Sequence, residues 1–217
     1  VPSGPLQDFL MQLATEVLFI RDKEQQEKFH PRIAAQLTHA FATLDPSNRD
    51  AFNRLHDDFF YRRHNEFWAA EAMKKLPVIT QSVDKDNEML ALYPFHGKGM
   101  LPCAEDLGMV PPTVPPVLHR LGILTLEIQR MPKEYGVRFS RLEHNPYLSV
   151  ATIATHDMPP LRKWWTMNRE QTSQFWNEAL GHSGDAPAEA TPEVCEEVVS
   201  RHIQSPSMLC LLSLQDL

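Results

Sequence analysis

MLPCAEDLG at residues 100–108 and VATIATHD at residues 150–157 are the two segments that decide the fold. In each of them a short apolar run ends on carboxylates, Glu105 and Asp106 in the first segment and Asp157 in the second. The first run is too short for a helix, and the second is rich in β-branched residues, which favour strands. Buried strands that end on carboxylates are typical of active sites in α/β barrels and open α/β sheets. In the alternative interpretation, these carboxylates only cap the helices that follow.

The sequence after residue 100 alternates between strand-like apolar runs and helical patterns. Strands are predicted at 100–104, 123–128, 149–155 and 208–214, and helices at 112–121, 159–180 and 191–203. This alternation of strand and helix predicts a parallel sheet. Four such strands amount to half of an eight-stranded barrel. The predicted fold class is therefore α/β, the C-terminal half of a (β/α)8 TIM-type barrel.

The first part of the chain instead shows apolar residues at helical spacing. Helices are predicted at 5–16, at 31–44 and from a cap at Asp45 or Ser47 to Pro77. Residues 82–88 are predicted to form a polar loop, and residues 97–99 a turn. We therefore predict that residues 1–76 are a mainly helical section and that residues 77–217 are the half-barrel with both acidic motifs. Because no helix follows the last strand, the chain is expected to be a fragment of a longer protein.

Charge, hydropathy and cysteine content limit the possible partners and the cellular compartment of the protein. The chain has 28 acidic and 21 basic residues, and this net charge of −7 argues against nucleic acid or an anionic membrane surface as partner. No apolar run approaches the ~18–20 residues that span a bilayer. The three cysteines are an odd number and fit buried thiols in a reducing compartment, so we expect a cytoplasmic protein. Unpaired edges of a half-barrel would favour self-association.

Two carboxylates at the ends of neighbouring parallel strands suit the cleavage of glycosidic bonds. One carboxyl group exchanges a proton with the glycosidic oxygen, and a second acts as nucleophile in retaining enzymes. Aromatic side chains near such a site stack on sugar rings, and Tyr147, Trp164 and Trp165 are candidates. The alternative for both tryptophans is that they pack in the core.

The EDLG and THD motifs resemble those of a known enzyme family. They are similar to the 4-α-glucanotransferases (amylomaltase, disproportionating enzyme) of glycoside hydrolase family 77, in the α-amylase clan. The resemblance is specific in LPCAEDLGMVPPTVPPVLHRLGILTLEIQRMPKEYG (101–136), NPYLSVATIATHDMPPLRKWW (145–165) and SLQDL (213–217), and looser in FHPRI (29–33) and FYRRHNEFW (60–68).

The resemblance implies a role for five residues. Glu105 of EDLG would be the general acid/base, and Asp157 of THD would stabilise the transition state by orienting substrate hydroxyls. His156 would bind sugar hydroxyls beside Asp157. Asp106 would be a supporting carboxylate, and Gln129 would line the donor subsite. The family uses no cofactor or catalytic metal, and its substrates are maltooligosaccharides and other α-1,4-glucans.

The sequence departs from the family's pattern in one respect. The family's nucleophile is an aspartate in an Arg-Ile-Asp-His-type motif at the end of the preceding barrel strand, and this sequence has no such motif. The resemblance therefore implies that the full-length protein transfers α-1,4-glucan segments by a retaining mechanism. The isolated chain is expected to be inactive.

Two other classes of function remain open from the residues alone. The chain could be a carbohydrate-binding or structural fragment without activity, because the nucleophile is absent. His156 and Asp157 could instead be the metal-binding pair of a helical phosphohydrolase. Such a pair normally lies in a helix, whereas the run SVATIAT before it favours a strand.

Overall fold

The computed structural model describes residues 4–82 and 101–216, and the chain divides into two compact units after Trp68. The predicted turn at 97–99 and the predicted loop from residue 83 onwards lie outside the described residues. The first unit contains α1 (Pro5–Thr15), β1 (Phe19–Arg21), β2 (Phe29–Pro31), α2 (His39–Ala42) and α3 (Pro46–Asp57), followed by the start of α4 (Asn65–Ser82). The helix predicted at 5–16 is thus confirmed as α1.

The helix predicted at 31–44 is wrong. Its first residue belongs to β2, which pairs antiparallel with β1, and a 3-10 turn at Ala35–Leu37 follows. A new helix, α2, then begins after Thr38, whose hydroxyl accepts a hydrogen bond from Phe41 N at 3.1 Å. The strand pairing and the cap at Thr38 divide the segment, because an N-cap residue is itself extended rather than helical.

The long helix predicted from Asp45 to Pro77 is split in the structure. Asp45 caps α3 as predicted, with its carboxylate accepting from Asn48 N at 3.0 Å. A π-helical turn at Asp58–Arg62 then ends the regular helix. Beyond this turn α4 passes through Pro77 and continues to Ser82. Proline removes one helical N–H donor and its ring crowds the carbonyl group of the preceding turn, so Pro77 is expected to end the helix, but α4 continues past it.

The second unit is an α/β fold around a parallel sheet. It contains the rest of α4 and the elements α5 (Val114–Leu121), β3 (Thr125–Ile128), β4 (Ser149–Thr152), α6 (Leu161–Met167), α7 (Arg169–Gln174), α8 (Pro192–Ile203) and β5 (Leu209–Leu211). The strands pair in chain order, β3 with β4 and β4 with β5, and both pairings are parallel. The predicted parallel alternation of strands and helices is confirmed.

The strand predicted at 100–104 is reduced to one bridge in the described part. Cys103 pairs parallel with Leu124, on the edge of β3 that does not face β4. Pro102 has no N–H to donate, which shortens the ladder. Leu124 N still donates to Pro102 O at 2.9 Å, so the segment lies beside β3 where the prediction placed it.

The helix predicted at 159–180 is broken at Asn168. This residue is extended, with φ of −144°, and its side chain caps α7 by accepting from Gln171 N at 3.1 Å. A π-helical turn at Phe175–Ala179 follows α7. The helix predicted at 191–203 is confirmed as α8, capped by Thr191 with proline at the first position. At the chain end, β5 covers only part of the strand predicted at 208–214.

The core of the second unit lies between the sheet and the helices that follow β4. Trp165 of α6 is fully buried and contacts Phe175 edge to face, with ring centroids 6.2 Å apart. Its indole N–H donates to Pro187 O at 2.9 Å. The other buried members of this core are Ile153, Leu161, Leu180, Ala186, Ala190, Val194, Cys195 and Val198. Across the described ranges, no helix is both long and apolar enough to cross a membrane.

Candidate active site

The two acidic motifs leave the sheet at the same end, where the parallel strands finish. Glu105 comes two residues after the bridge residue Cys103, and Asp157 follows the end of β4 after a short loop. Because the strands are parallel, their carboxyl ends share one edge, which is where α/β enzymes place their active sites. Both carboxylates belong to exposed residues, so water and ligands reach them.

Glu105 is fixed through its two neighbours along the chain. Ala104 N donates to Leu124 O at 2.8 Å, which continues the parallel ladder beside β3. On the other side, Asp106 Oδ1 accepts a hydrogen bond from Leu126 N at 2.9 Å. The backbone on both sides of Glu105 is therefore attached to β3, while the side chain of Glu105 itself points to solvent.

Asp106 has a different environment from Glu105. The residue is buried, and its second oxygen, Oδ2, lies 2.8 Å from Nζ of Lys133. Lys133 also pairs with Glu127 Oε1 at 2.7 Å, and Thr125 donates its hydroxyl proton to the same oxygen at 2.8 Å. Both oxygens of Asp106 are thus occupied by protein groups, which fits a supporting carboxylate better than one that binds sugar directly.

The THD motif lies in an exposed loop between β4 and α6. The side chains of His156 and Asp157 are 86% and 71% exposed, and His156 Nε2 lies 3.4 Å from Asp157 Oδ2. Inside the loop, Met158 N donates to Thr155 O at 3.1 Å. Exposure at this level leaves both side chains able to meet a substrate, and their positions depend on how the loop ends are held.

Arg130 and Asp216 hold the ends of this loop. Arg130 follows β3, and its Nη2 donates to Ile153 O at 2.9 Å and to Pro159 O at 3.3 Å. Asp216 follows β5, and its Oδ1 accepts from Leu161 N, at the start of α6, at 2.6 Å. The strands on both sides of β4 therefore each supply one charged side chain to the loop that carries His156 and Asp157.

Burial of Arg130 shifts its pKa without removing its charge. Desolvation lowers the pKa of the Arg130 guanidinium to about 10, and the nearby charge of Asp216 opposes this shift. The guanidinium also stacks over the Trp164 ring, 4.7 Å from its centroid. Arg130 therefore stays a cation near neutral pH, as its hydrogen bonds to carbonyl oxygens require.

Gln129 also lies at this sheet edge but in a separate setting. It directly follows β3, is buried, and its main-chain oxygen accepts from Ser140 N at 2.9 Å. Its side-chain oxygen Oε1 is buried without a hydrogen-bond partner in the described part of the chain. Gln129 lines a cavity of about 530 Å³ whose wall includes the ion pair between Arg138 and Glu178.

Comparison with known proteins assigns the family. Residues 20–217 match the model of glycoside hydrolase family 77, described as 4-α-glucanotransferase. The chain belongs to this family. Among curated relatives, it is 35% identical over 208 residues to the 4-α-glucanotransferase DPE2 of rice, covering 96% of this chain and 20% of the rice enzyme. It is 39% identical over 79 residues to the 4-α-glucanotransferase of Chlamydia pneumoniae, covering 35% of this chain and 15% of that enzyme.

Solved structures of amylomaltases are similar to parts of this family member. The enzyme from Corynebacterium glutamicum matches with a TM-score of 0.36 and 23% identity, covering 52% of this chain and 21% of that one. The enzyme from Streptococcus agalactiae, in complex with acarbose, matches with a TM-score of 0.40 and 18% identity, covering 52% and 22%. The chain spans about a fifth of the rice relative and of these two structures.

Two of the three aromatic candidates for sugar stacking are placed elsewhere in this glycoside hydrolase 77 chain. Trp165 is fully buried in the core, so its candidacy was wrong and the core alternative holds. Tyr147 precedes β4 and therefore lies at the opposite edge of the sheet from Glu105 and Asp157. Trp164 packs partly buried beneath Arg130.

Sequence reasoning missed the charged residues that hold the acidic motifs of this family member. Lys133, Arg130 and Asp216 all lie within the stretches that resemble the family, but no role was assigned to them. A cation shortly after a strand that neighbours an acidic loop is the signal that would have pointed to Lys133 and Arg130. Asp216 is 55 residues from its partner Leu161, and no local pattern reveals that contact.

The structure also bears on the metal phosphohydrolase alternative. His156 and Asp157 lie in a loop rather than in a helix. Within residues 4–82 and 101–216, the histidine, cysteine and carboxylate side chains form no group of three or more that could hold a metal ion. This glycoside hydrolase 77 chain therefore does not favour that alternative.

Proposed function

We propose that the full-length protein that contains this chain transfers α-1,4-glucan segments between maltooligosaccharides or longer glucans. What carries the proposal is that two exposed carboxylates, Glu105 and Asp157, leave one edge of a parallel sheet in a chain of the 4-α-glucanotransferase family. Transfer by a retaining mechanism proceeds in two steps through a covalent glycosyl-enzyme intermediate.

Glu105 serves in this proposal as the general acid/base. It donates a proton to the glycosidic oxygen as that bond breaks, and it later takes a proton from the acceptor hydroxyl. Its attachment to β3 through both neighbours supports this role, because proton transfer requires a fixed direction. Asp106 supplies one of these attachments and is proposed as a supporting carboxylate.

Asp157 and His156 bind sugar hydroxyls in this proposal. Hydrogen bonds from a sugar to Asp157 strengthen in the oxocarbenium-like transition state and so favour turnover over ground-state binding. The exposure of both side chains and the anchoring of their loop by Arg130 support this assignment. Gln129, with a buried amide oxygen that faces no protein donor in the described residues, is proposed to line the donor subsite.

We also infer that the chain is the C-terminal half of a (β/α)8 barrel. Pairing of Cys103, β3, β4 and β5 in chain order supports this, since successive barrel strands pair in that order. In the corresponding domain proposal, residues 1–76 form a mainly helical section and residues 77–217 the half-barrel. The three free cysteines support a reducing, cytoplasmic location.

The second candidate function is a fragment without catalysis. It is favoured by one observation, the absence from the sequence of an Arg-Ile-Asp-His-type motif for the nucleophile. The two candidates agree if the nucleophile is supplied by another part of the full-length protein. In that case, the isolated chain binds glucans at most, and the full-length protein transfers them.

Disproportionation of maltotriose tests the proposal. We expect the full-length protein to form maltopentaose and glucose, and the isolated chain to form neither. In the full-length protein, Glu105→Gln removes nearly all turnover but leaves oligosaccharide binding measurable, because the amide keeps the shape and lacks the proton. Asp157→Asn lowers turnover more than it weakens binding.

Glu189→Gln, which changes an exposed carboxylate remote in sequence from both motifs, is the matched control and should keep wild-type turnover. Wild-type turnover in the Glu105→Gln variant would refute the assignment of the acid/base. Maltopentaose formation by the isolated chain at the full-length rate would show that the nucleophile lies within this sequence.

A further inference from the structure

Lys133 follows β3 and pairs with Asp106, the neighbour of Glu105, and the roles proposed above do not use it. Its Nζ lies 2.8 Å from Asp106 Oδ2 and 2.7 Å from Glu127 Oε1. The side chains of Asp106 and Glu127 are 3% and 14% exposed, and that of Lys133 is 23% exposed. This is therefore a buried ion-pair cluster and not a surface pair, which would contribute little.

The cluster depends on its single ammonium group. Two carboxylates that both lie within hydrogen-bonding distance of Lys133 Nζ are close to each other. Without the cation they would repel, and a buried carboxylate without a partner is strongly unfavourable. Asp106 would then rotate out of its bond with Leu126 N.

That bond is what attaches the chain after Glu105 to β3. In a regular parallel ladder the next acceptor for Leu126 N would be a main-chain oxygen of the neighbouring strand. Here the acceptor is Asp106 Oδ1, at 2.9 Å. Just beyond it, Gly108 adopts φ of +75° and turns the chain away from the sheet. The side chain of Asp106 is thus the last attachment before the chain leaves β3.

We propose that Lys133 is a positioning residue for Glu105, which it orients by holding Asp106 in its bond to β3. The proposal rests on the role of Glu105 as acid/base proposed above. Lys133 itself touches neither substrate nor reacting atoms. Its effect on turnover comes from the direction in which Glu105 points, so it should alter kcat more than KM.

Cys103 is a local reporter of this cluster that does not depend on activity. Desolvation raises the pKa of the Cys103 thiol, the charges of Asp106 and Glu127 raise it further, and the charge of Lys133 lowers it. Loss of Lys133 should therefore raise the Cys103 pKa again. Desolvation alone raises the pKa of Cys210, so that thiol is an internal control.

The first experiment measures alkylation of each thiol by iodoacetamide between about pH 7 and pH 10, with the cysteine peptides resolved by mass spectrometry. Because the thiolate is the reacting species, we expect Lys133→Met to slow the reaction of Cys103 about threefold or more at pH 8.5. Lys133→Arg, which keeps the charge, should react at nearly the wild-type rate. Cys210 should react equally in all variants.

Two further measurements keep this experiment decisive. Cys195 is buried and reports on folding, because it should stay unreactive in every folded variant. If Cys195 becomes reactive in Lys133→Met, that variant is replaced by Glu127→Gln. Glu127→Gln removes a charge that raises the Cys103 pKa, so Cys103 should react faster than in the wild type. An unchanged Cys103 rate in the folded variants overturns the proposal.

The second experiment measures maltotriose disproportionation by the full-length protein. We expect Lys133→Met to lower kcat about tenfold or more with KM changed less than about threefold, since a small misplacement of a catalytic group is costly. Lys133→Arg should restore most of the loss. Lys74→Met, which removes a surface pair with Glu71, is the matched control and should behave as wild type.

The outcomes separate the two proposals. Turnover that survives Glu105→Gln refutes the acid/base role of Glu105, whatever Lys133→Met does, and a wild-type full-length protein that forms no maltopentaose refutes the proposed function. An inactive Glu105→Gln variant together with wild-type kcat in Lys133→Met leaves the function intact and refutes the positioning role. The positioning role is also refuted if Lys133→Arg loses as much kcat as Lys133→Met, because the positive charge would then not be the cause of the effect on turnover.

Discussion

Glu105 and Asp106 are adjacent in the chain but have opposite environments. Glu105 is exposed, whereas Asp106 is buried with Leu126 N on one oxygen and Lys133 on the other. Neighbouring residues of an extended segment point to opposite sides, so one of the pair faces the sheet when the other faces solvent. The same alternation gives one carboxylate a structural task and leaves the other available for chemistry.

His202 shows how burial can dominate the response of a residue to pH. It is 1% exposed, and its Nδ1 donates to Val198 O at 2.7 Å. Its other ring nitrogen, Nε2, is buried without a partner in the described part of the chain. Burial lowers the pKa of His202 from 6.5, the charge of Arg130 lowers it further, and the Val198 carbonyl and Asp216 act in the opposite direction.

His202 should therefore make the fold sensitive to mild acid. As the pH falls through 6.5, the unfolded chain binds a proton at this histidine more readily than the folded chain, so the free energy of unfolding falls as the pH falls. We expect His202→Leu to reduce the loss of stability between about pH 7.5 and 5.5 by roughly 1 kcal/mol. Urea denaturation of the isolated chain at both pH values measures this.

His119→Gln, at an exposed position of α5, is the control for the change of residue and should keep the wild-type dependence on pH. An identical dependence in His202→Leu and wild type would mean that another group causes the acid sensitivity.

At the scale of elements, the loop between β4 and α6 is held from both neighbouring strands. Arg130 follows the end of β3, and Asp216 lies in the 3-10 turn Leu214–Asp216 that follows β5. Together they fix three main-chain groups, Ile153 O, Pro159 O and Leu161 N. The geometry of the loop that presents His156 and Asp157 therefore depends on residues outside it as well as on its own sequence.

Arg130→Met should loosen this loop. It removes two hydrogen bonds from a buried cation and leaves Ile153 O and Pro159 O without that donor, so we expect a loss of about 2 kcal/mol in the free energy of unfolding. In the full-length protein, kcat for maltotriose should fall by about tenfold or more, because Asp157 loses its fixed position. Urea denaturation and the disproportionation assay measure the two effects.

Arg162→Met changes an exposed arginine of α6 and should leave both quantities within error. Arg130→Lys keeps a cation but cannot donate to both carbonyl oxygens with the same planar group, so it should recover only part of the loss. Wild-type stability and wild-type turnover in Arg130→Met would refute the role of Arg130 in holding the loop between β4 and α6.

At the scale of the whole molecule, β5 is the outermost strand on one side of the described sheet. Among the described residues β5 pairs only with β4, and its residues Leu209 and Leu211 are 41% and 61% exposed. Two apolar residues of α1, Leu6 and Phe9, are exposed as well, at 71% and 59%. Exposed strand edges and apolar faces are the surfaces through which chains associate.

The isolated chain should therefore self-associate in a concentration-dependent way. Light scattering after size-exclusion chromatography, at about 10 and 200 μM, should show a rising average mass. Leu211→Lys should lower the mass at the higher concentration, because an edge lysine opposes strand pairing. Leu37→Lys places the same charge at an exposed site of the first unit and is the matched control. A uniform monomer at both concentrations would contradict the expectation.

The sequence by itself determined the parallel arrangement and the shared edge of the two acidic motifs. Both follow from local information: the β-branched run before Asp157, the apolar run before Glu105, and the caps at Asp45, Thr191 and Gly122. Alternating strands and helices have few ways to pack, so their order along the chain fixed the order of the strands in the sheet.

Only the tertiary structure decided which charged groups meet. Asp106 contacts Leu126 and Lys133, 20 and 27 residues away, and Asp216 contacts Leu161 across 55 residues. The cap that breaks the helix at Asn168 likewise overrides a continuous apolar pattern. Burial and ion pairing depend on residues brought together by the fold, whereas propensity depends on near neighbours in the chain. A local signal could point to Lys133 and Arg130 as candidates, but the contacts through which they and Asp216 act could not be read from the sequence.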